Sequence, residues 1–290
     1  MKSRVSIANN LDVETAVWSA LDAMEGLSAL FIGKHVAIKP NDTWASKDDL
    51  TACTQADTLR AVVRYVKNYF PKKLTVSGGA GAGETADVFR LLGLDRVIAE
   101  EGVEFFDHNR PPFKAVPLEY GPLKEVMVNE RVLDYETVIS LAQHKEHHLA
   151  TVTLTMKNIS MSYPAADYYG HPRAKSLHPH DIFTDIQKFI AGMCKTFPIG
   201  LGIIVGHPAM TGTGPIGGHT FESGIVIASK DCVAADTVGA RILGYDRVEH
   251  IIEAERLGVG TANLNNIDLA GVRLDEARRL FRERERQAAA

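Results

Sequence analysis

The stretch Leu74-Thr-Val-Ser-Gly-Gly-Ala-Gly-Ala-Gly-Glu-Thr-Ala-Asp-Val-Phe-Arg-Leu-Leu-Gly93 decides the fold. Leu74 to Ser77 is β-rich and short, as a strand is. Gly78 to Gly83 then form a glycine-rich turn, and Glu84 to Leu92 carry a helical apolar pattern stopped by Gly93. Strand, glycine turn and helix in that order predict a crossover between parallel strands.

The same alternation extends in both directions. Upstream, residues 11–30 repeat apolar residues at helical spacing, and His35 to Lys39 read as a strand halted by Pro40-Asn41. Thr54 to Phe70 predict a helix with Thr54 as its cap. Downstream, strands are expected at Val103 to Phe106, Thr137 to Ala142, Ile199 to Val205, Gly224 to Ala228 and Asn266 to Ala270. Helices are expected at Ile182 to Cys194, from Asp231 as cap to Leu243, at Arg247 to Leu257 and at Asp275 to Gln287. The last is highly charged, suited to a solvated face or an oligomer contact, so a homo-oligomer is allowed. The expected fold is α/β: a mostly parallel sheet flanked by helices, as one domain or as two lobes of about 1–135 and 136–290. The site then belongs between strand C-terminal ends, where ligands of open α/β sheets bind.

The totals exclude several classes. With 32 Lys+Arg against 36 Asp+Glu, the 290-residue chain has no net basic field to hold nucleic acid or an anionic membrane. No apolar run approaches the roughly 18 residues that span a bilayer. The first residues are polar where a signal peptide is apolar, so a cytoplasmic location is expected. Cys53, Cys194 and Cys232 are far apart, with no CxxC, so this chain supplies no four-cysteine iron–sulfur site.

Chemistry concentrates in Lys145-Glu-His-His-Leu-Ala-Thr-Val-Thr-Leu-Thr-Met-Lys-Asn158, read as the floor of a site. Its basic residues emerge just past the strand at 137–142, cross a β-rich run from Thr151 to Met156, and close on Lys157 and Asn158. Six of the eleven histidines (His144, His147, His148, His171, His178 and His180) fall within residues 144–180. Neutral imidazole moves protons near pH 7 and ligates metals. His147, His148 and His178 are therefore the candidate ligands of a divalent metal, although no carboxylate accompanies them at a recognisable spacing. Lys145 and Lys157 suit an anion site, or one of them acts as base or nucleophile. The GGAGAG turn has the neighbours of a phosphate cradle but matches neither GxGxxG nor GxxxxGK[ST]. A simple tight turn explains it equally well. The second glycine segment, Gly206 to His219, also follows a strand, so both runs and the Lys-His stretch are placed to share one mouth.

These residues together resemble the family catalogued as domain of unknown function 362. Its I-K-P-N is matched by Ile38-Lys39-Pro40-Asn41. Its K-x-H and T-x-x-x-K-N are matched by Lys145, His147, Thr153, Lys157 and Asn158. A later family histidine falls at His178, its G-x-G-P-x-G at Gly212 to Gly217, and its D-x-V-A-x-D at Asp231 to Asp236. The chain departs from many relatives in lacking ferredoxin-like cysteines. It also departs at Gly206-His207 and Thr211-Gly212, where relatives carry Asp-Gly and Glu-Gly. The resemblance implies an α/β fold and a common site without fixing a reaction.

The expected function is an enzyme acting on a small anionic metabolite by lysine and histidine proton chemistry, of isomerase, racemase or lyase type. Lys145, His147, Lys157 and His178 form the catalytic set. Lys39, Asn41, Gly79, Gly81, Asn158 and Gly214 form the binding set. Two other readings stay open: an accessory protein holding a cofactor or metal, and a redox protein using a cluster on a partner.

Overall fold

The computed structural model describes residues 2–170 and 185–290. His171, His178 and His180, and the start of the helix expected from Ile182, lie outside the described residues. The first part of the chain runs β1 (Ser3–Asn9), α1 (Val13–Asp22), α2 (Ser28–Phe31), β2 (His35–Pro40), α3 (Ala56–Lys67), β3 (Lys73–Gly78), α4 (Thr85–Leu92), α5 (Leu94–Glu101) and β4 (Glu104–Asp107). A hairpin of β5 (Phe113–Pro117) and β6 (Glu125–Asn129) follows. Then come β7 (Thr137–His147), β8 (Thr151–Thr153), α6 (Thr155–Ser160), α7 (Ala166–Tyr169), α8 (Ile186–Thr196), β9 (Leu201–Thr211) and β10 (His219–Phe221). The chain ends with β11 (Ile225–Ser229), α9 (Cys232–Leu243), α10 (Glu249–Arg256), β12 (Ile267–Gly271) and α11 (Leu274–Ala289).

One ten-stranded sheet organises these elements, in the order β12-β1-β11-β9-β7-β2-β3-β4 with β8 and β10 hairpinned onto β7 and β9. Along the main order every neighbouring pair is parallel except the two that involve β11. The fold is therefore α/β with a mostly parallel sheet. Strands from before and after residue 135 share it, because β7 sits between β2 and β9. Helices cover both faces, which is why the central strands read as continuous apolar runs. On one face Val17, Leu59 and Val62 pack on Ile38 and Ile139. On the other, Phe189, Ile190, Val238 and Ile242 pack with Ile204 and Ile227. The charged terminal helix α11 docks through Ala277 and Phe281, both fully buried, and Phe281 meets Phe221 edge to face.

Local chemistry corrects several expectations. The helix expected over 11–30 is two helices, with Gly26 at a positive φ between them. Thr54 does not cap α3. Its hydroxyl accepts the Asn41 N–H at 2.8 Å and donates to the Leu141 carbonyl at 3.2 Å, tying together the ends of β2 and β7. The sequence reading assigns nothing before residue 11, whereas β1 occupies the sheet interior beside β11 and β12. The strand expected to stop at Ala142 runs on to His147, so Lys145 and His147 lie within β7 and His148 directly follows it. The β-rich run stops at Thr153, and Lys157 and Asn158 stand on the helix α6.

Candidate functional site

The site is built around α6, a helix of six residues that is too short to hold itself together and is fixed by tertiary contacts. Asp236 on α9 supplies them. One of its carboxylate oxygens accepts the Thr155 N–H at 2.8 Å and the Thr155 hydroxyl at 2.5 Å, and the other accepts the Met156 N–H at 3.0 Å. These satisfy donors that an isolated helix N-terminus leaves open. Asp231 performs the same service for α9, accepting the Ala234 N–H at 2.9 Å. Both acidic residues of the Asp231–Asp236 segment therefore position helices.

Asn158 then acts as the hub that aligns the strand ends. Its Oδ1 accepts from the Lys39 ammonium at 3.0 Å and from Asn41 Nδ2 at 3.3 Å. Its Nδ2 donates to the Lys39 carbonyl and to Ser140 Oγ, each at 3.1 Å. The Lys39 ammonium also lies 2.7 Å from Asp42, and both side chains are almost fully buried. Asp42 turns its second oxygen to the Gly79 N–H at 2.7 Å.

A cavity of about 280 Å³ opens over these groups. The structure brings Lys39, Asn41, Gly79, Gly81, His147, His148, Lys157 and Asn158 into its wall. Lys145 and Gly214 lie outside that lining. Lys145 is completely buried, and its ammonium donates to the carbonyls of Ala52 at 2.6 Å and Pro215 at 3.3 Å. Gly214 presents its carbonyl to His148, accepting from the backbone N–H at 3.0 Å and from Nδ1 at 2.9 Å. A side chain at Gly214 is forbidden, since its Cβ would meet the Glu146 carbonyl at 2.1 Å. His178 lies outside the described residues.

Four backbone donors of the glycine run are already used within the protein. The N–H groups of Gly79 and Ala80 donate to Asp42 and to Thr85 Oγ1, and those of Gly81 and Ala82 both donate to the Thr43 carbonyl at 3.1 Å. Of the two expectations for this run, these bonds favour the tight turn. Gly79 is required for another reason: a Cβ there would sit 1.9 Å from Nε2 of His108.

Lys157 differs from the other two buried lysines. It is 8% exposed, and among the described residues its ammonium has neither a hydrogen-bond partner nor a carboxylate. Burial lowers its pKa to about 7, with the Lys145 and Lys39 charges adding to the effect. Lys145 is brought to about 8, chiefly by burial. Burial and Lys157 also hold His147 strongly in its neutral form.

The two cavity histidines are opposite tautomers. His147 Nδ1 accepts the N–H groups of Leu149 and Ala150 at 3.1 and 3.2 Å, so its proton is on Nε2. His148 Nδ1 donates to the Gly214 carbonyl, so the neutral ring keeps its lone pair on Nε2. The rings stack 5.0 Å apart and nearly parallel. One wall thus offers an imidazole donor and the neighbouring ring an imidazole acceptor. His147, with Nδ1 accepting and its proton on Nε2, has no ring lone pair free for a metal, and among the described residues no group of three His, Cys, Asp or Glu side chains comes together to hold one. Cys53, Cys194 and Cys232 are buried, free thiols.

Sequence reasoning missed several members of the wall. Asp42 and Thr43 directly follow the Ile38 to Asn41 segment, so adjacency was the available signal. Ser162 completes the lining and joins His108, whose Nε2 lies 2.9 Å from Ser162 Oγ and whose Nδ1 lies 3.0 Å from Ser77 Oγ. Met161, Ile186 and Ile216 supply apolar wall, and nothing in their sequence context distinguishes them from core residues. His250, far away in sequence, is buried near enough to Lys157 to feel its charge, and its Nδ1 is 2.7 Å from the Gln187 side-chain oxygen.

The chain belongs to the family described as domain of unknown function (DUF362), whose model matches residues 36–241 and so takes in every described member of the cavity wall. Among named proteins it is similar to the thylakoid-associated protein sll1697 of Synechocystis sp., with 24% identity over 238 residues, covering 78% of this chain and 69% of the relative. None of the described helices is long and apolar enough to cross a membrane.

Proposed function

We propose that the cavity is the active site of an enzyme that takes a small anionic molecule and moves a proton within it by isomerisation, racemisation or elimination. The observation that carries this reading is Lys157, a buried amine in the cavity wall without a partner among the described residues. A buried cation without a counter-charge is costly, and an entering carboxylate or phosphate supplies that charge. With an ordinary state near half-protonation at neutral pH, the same amine serves as acid or base. The neutral His148 ring, in the same cavity wall, accepts a proton at Nε2, and the His147 Nε2–H donates a hydrogen bond to developing oxygen charge. Leu149, Met161 and Ile216 give the cavity an apolar side, and a low local dielectric there strengthens these interactions.

The test is binding of acetate, malonate and inorganic phosphate to the wild-type protein and to Lys157→Met, followed by NMR of the protein. Saturable shifts in the wild type that vanish in the variant are expected. No binding of any of the three, or equal binding by both proteins, overturns the reading.

A further inference from the structure

We infer that the molecule taken by the cavity carries an aldehyde or ketone beside its carboxylate, and that the Lys157 amine condenses with that carbonyl to form an imine. This rests on the anion-site reading above and names the substrate class for it: a small oxo acid.

The inference comes from how the three buried lysines are sorted. Lys39 is held by Asp42 and Asn158, and Lys145 is held by two backbone carbonyls. Both are fixed as ammonium groups by acceptors that suit a charged donor. Lys39 and Lys157 both line the cavity, and of the three lysines only Lys157 makes no side-chain hydrogen bond among the described residues. Its two neighbours' charges favour the free amine, and a free amine in an apolar-walled cavity is a nucleophile. An anion site alone would be better served by a cation kept charged by its surroundings.

The step balances without any further reactant. The Lys157 Nζ lone pair bonds to the carbonyl carbon, and the C=O π pair moves onto oxygen. Both amine protons pass to that oxygen, and His148 in the same cavity wall is the base assigned to carry them through its neutral Nε2. The C–O bond then breaks and water leaves, giving the C=N bond. On protonation the iminium sits in the field of Lys39 and Lys145, and a carboxylate on the same molecule offsets that repulsion. This is why an oxo acid fits better than a neutral aldehyde. The iminium is an electron sink, which makes removal of a neighbouring proton easier and so joins this step to the proton chemistry.

The experiment treats the full chain at pH 7 with glyoxylate and sodium cyanoborohydride, with and without acetate as competitor, and maps the product by peptide mass spectrometry. The expected product is carboxymethyl-lysine at Lys157. It should form on the order of a hundredfold faster than at the exposed Lys72 and Lys124, because an ordinary lysine is almost wholly protonated at that pH. Acetate should slow it. Labelling confined to exposed lysines while acetate still binds the cavity overturns the imine and leaves the anion reading standing. Labelling confined to exposed lysines with no acetate bound overturns both.

Discussion

The Asp236 carboxylate accepts the Thr155 N–H at 2.8 Å across 81 residues of sequence, and this contact sets the direction of the helix that carries Lys157 and Asn158. Asp236→Asn keeps the shape but turns one acceptor into an N–H₂ group facing protein donors. The expected loss is about 2–3 kcal/mol of unfolding free energy, that of a buried hydrogen bond with an unsatisfied partner. Urea denaturation followed by circular dichroism measures it. An unchanged midpoint would show that α6 is held by other means.

Lys157→Met should stabilise the protein near neutral pH. The lysine's pKa falls from 10.5 unfolded to about 7 folded, so below pH 7 the folded state bears the full cost of the buried charge. Between pH 7 and about 10 the unfolded chain binds more protons than the folded one, and wild-type stability rises relative to the variant. The variant's advantage, on the order of a few kcal/mol at pH 6.5, should therefore close by pH 10. Paired urea melts across that range check it, since other titrations cancel in the difference.

His207→Gln should show the opposite slope. The His207 imidazolium bridges the carboxylates of Asp57, at 2.8 Å, and Glu222, and these hydrogen bonds raise its pKa from 6.5 to about 10. A raised pKa means the stabilisation is complete below pH 6.5 and is lost as pH climbs through 10. Both carboxylates are half exposed, so the difference between wild type and variant should be only about 1 kcal/mol at pH 6.5. It should disappear by pH 10.5 in the same melts.

Gly79→Ala should disrupt the cavity wall. The added Cβ meets His108 Nε2, and the ring cannot retreat easily because its nitrogens lie within hydrogen-bond distance of Ser77 and Ser162. A loss of about 1–3 kcal/mol is expected for this overpacking, together with weaker anion binding. Retained binding and stability would mean that the wall relaxes freely.

Much of the fold was legible because the central strands and their covering helices repeat a simple local pattern, as Leu74 to Gly93 show. The misreadings have one physical source, which is contact between residues distant in sequence. Thr151 to Met156 is β-branched and reads as strand, yet Asp236 captures the Thr155 and Met156 N–H groups and starts a helix there. Gln143 to His147 is too polar to read as a strand, but hydrogen bonds to β8 and β9 extend it. At the site, the Lys39, His147 and Lys157 convergence was legible from the motif and from the strand ends. The division of labour was not. Lys145 and Lys157 look equivalent in sequence, and only the carbonyls of Ala52 and Pro215 packed around Lys145 separate it from Lys157, which has no hydrogen-bond partner among the described residues.

Titration of Lys157, whose ammonium has no hydrogen-bond partner among the described residues, is the most direct test. Protein labelled with ¹³C at lysine Cε, followed by NMR from pH 5 to 11 and assigned with Lys157→Arg, reports each lysine separately. A Lys157 midpoint of about 7, moved upward when acetate is bound, is the expected result. A midpoint at the ordinary lysine value near 10.5, unchanged by acetate, would contradict it.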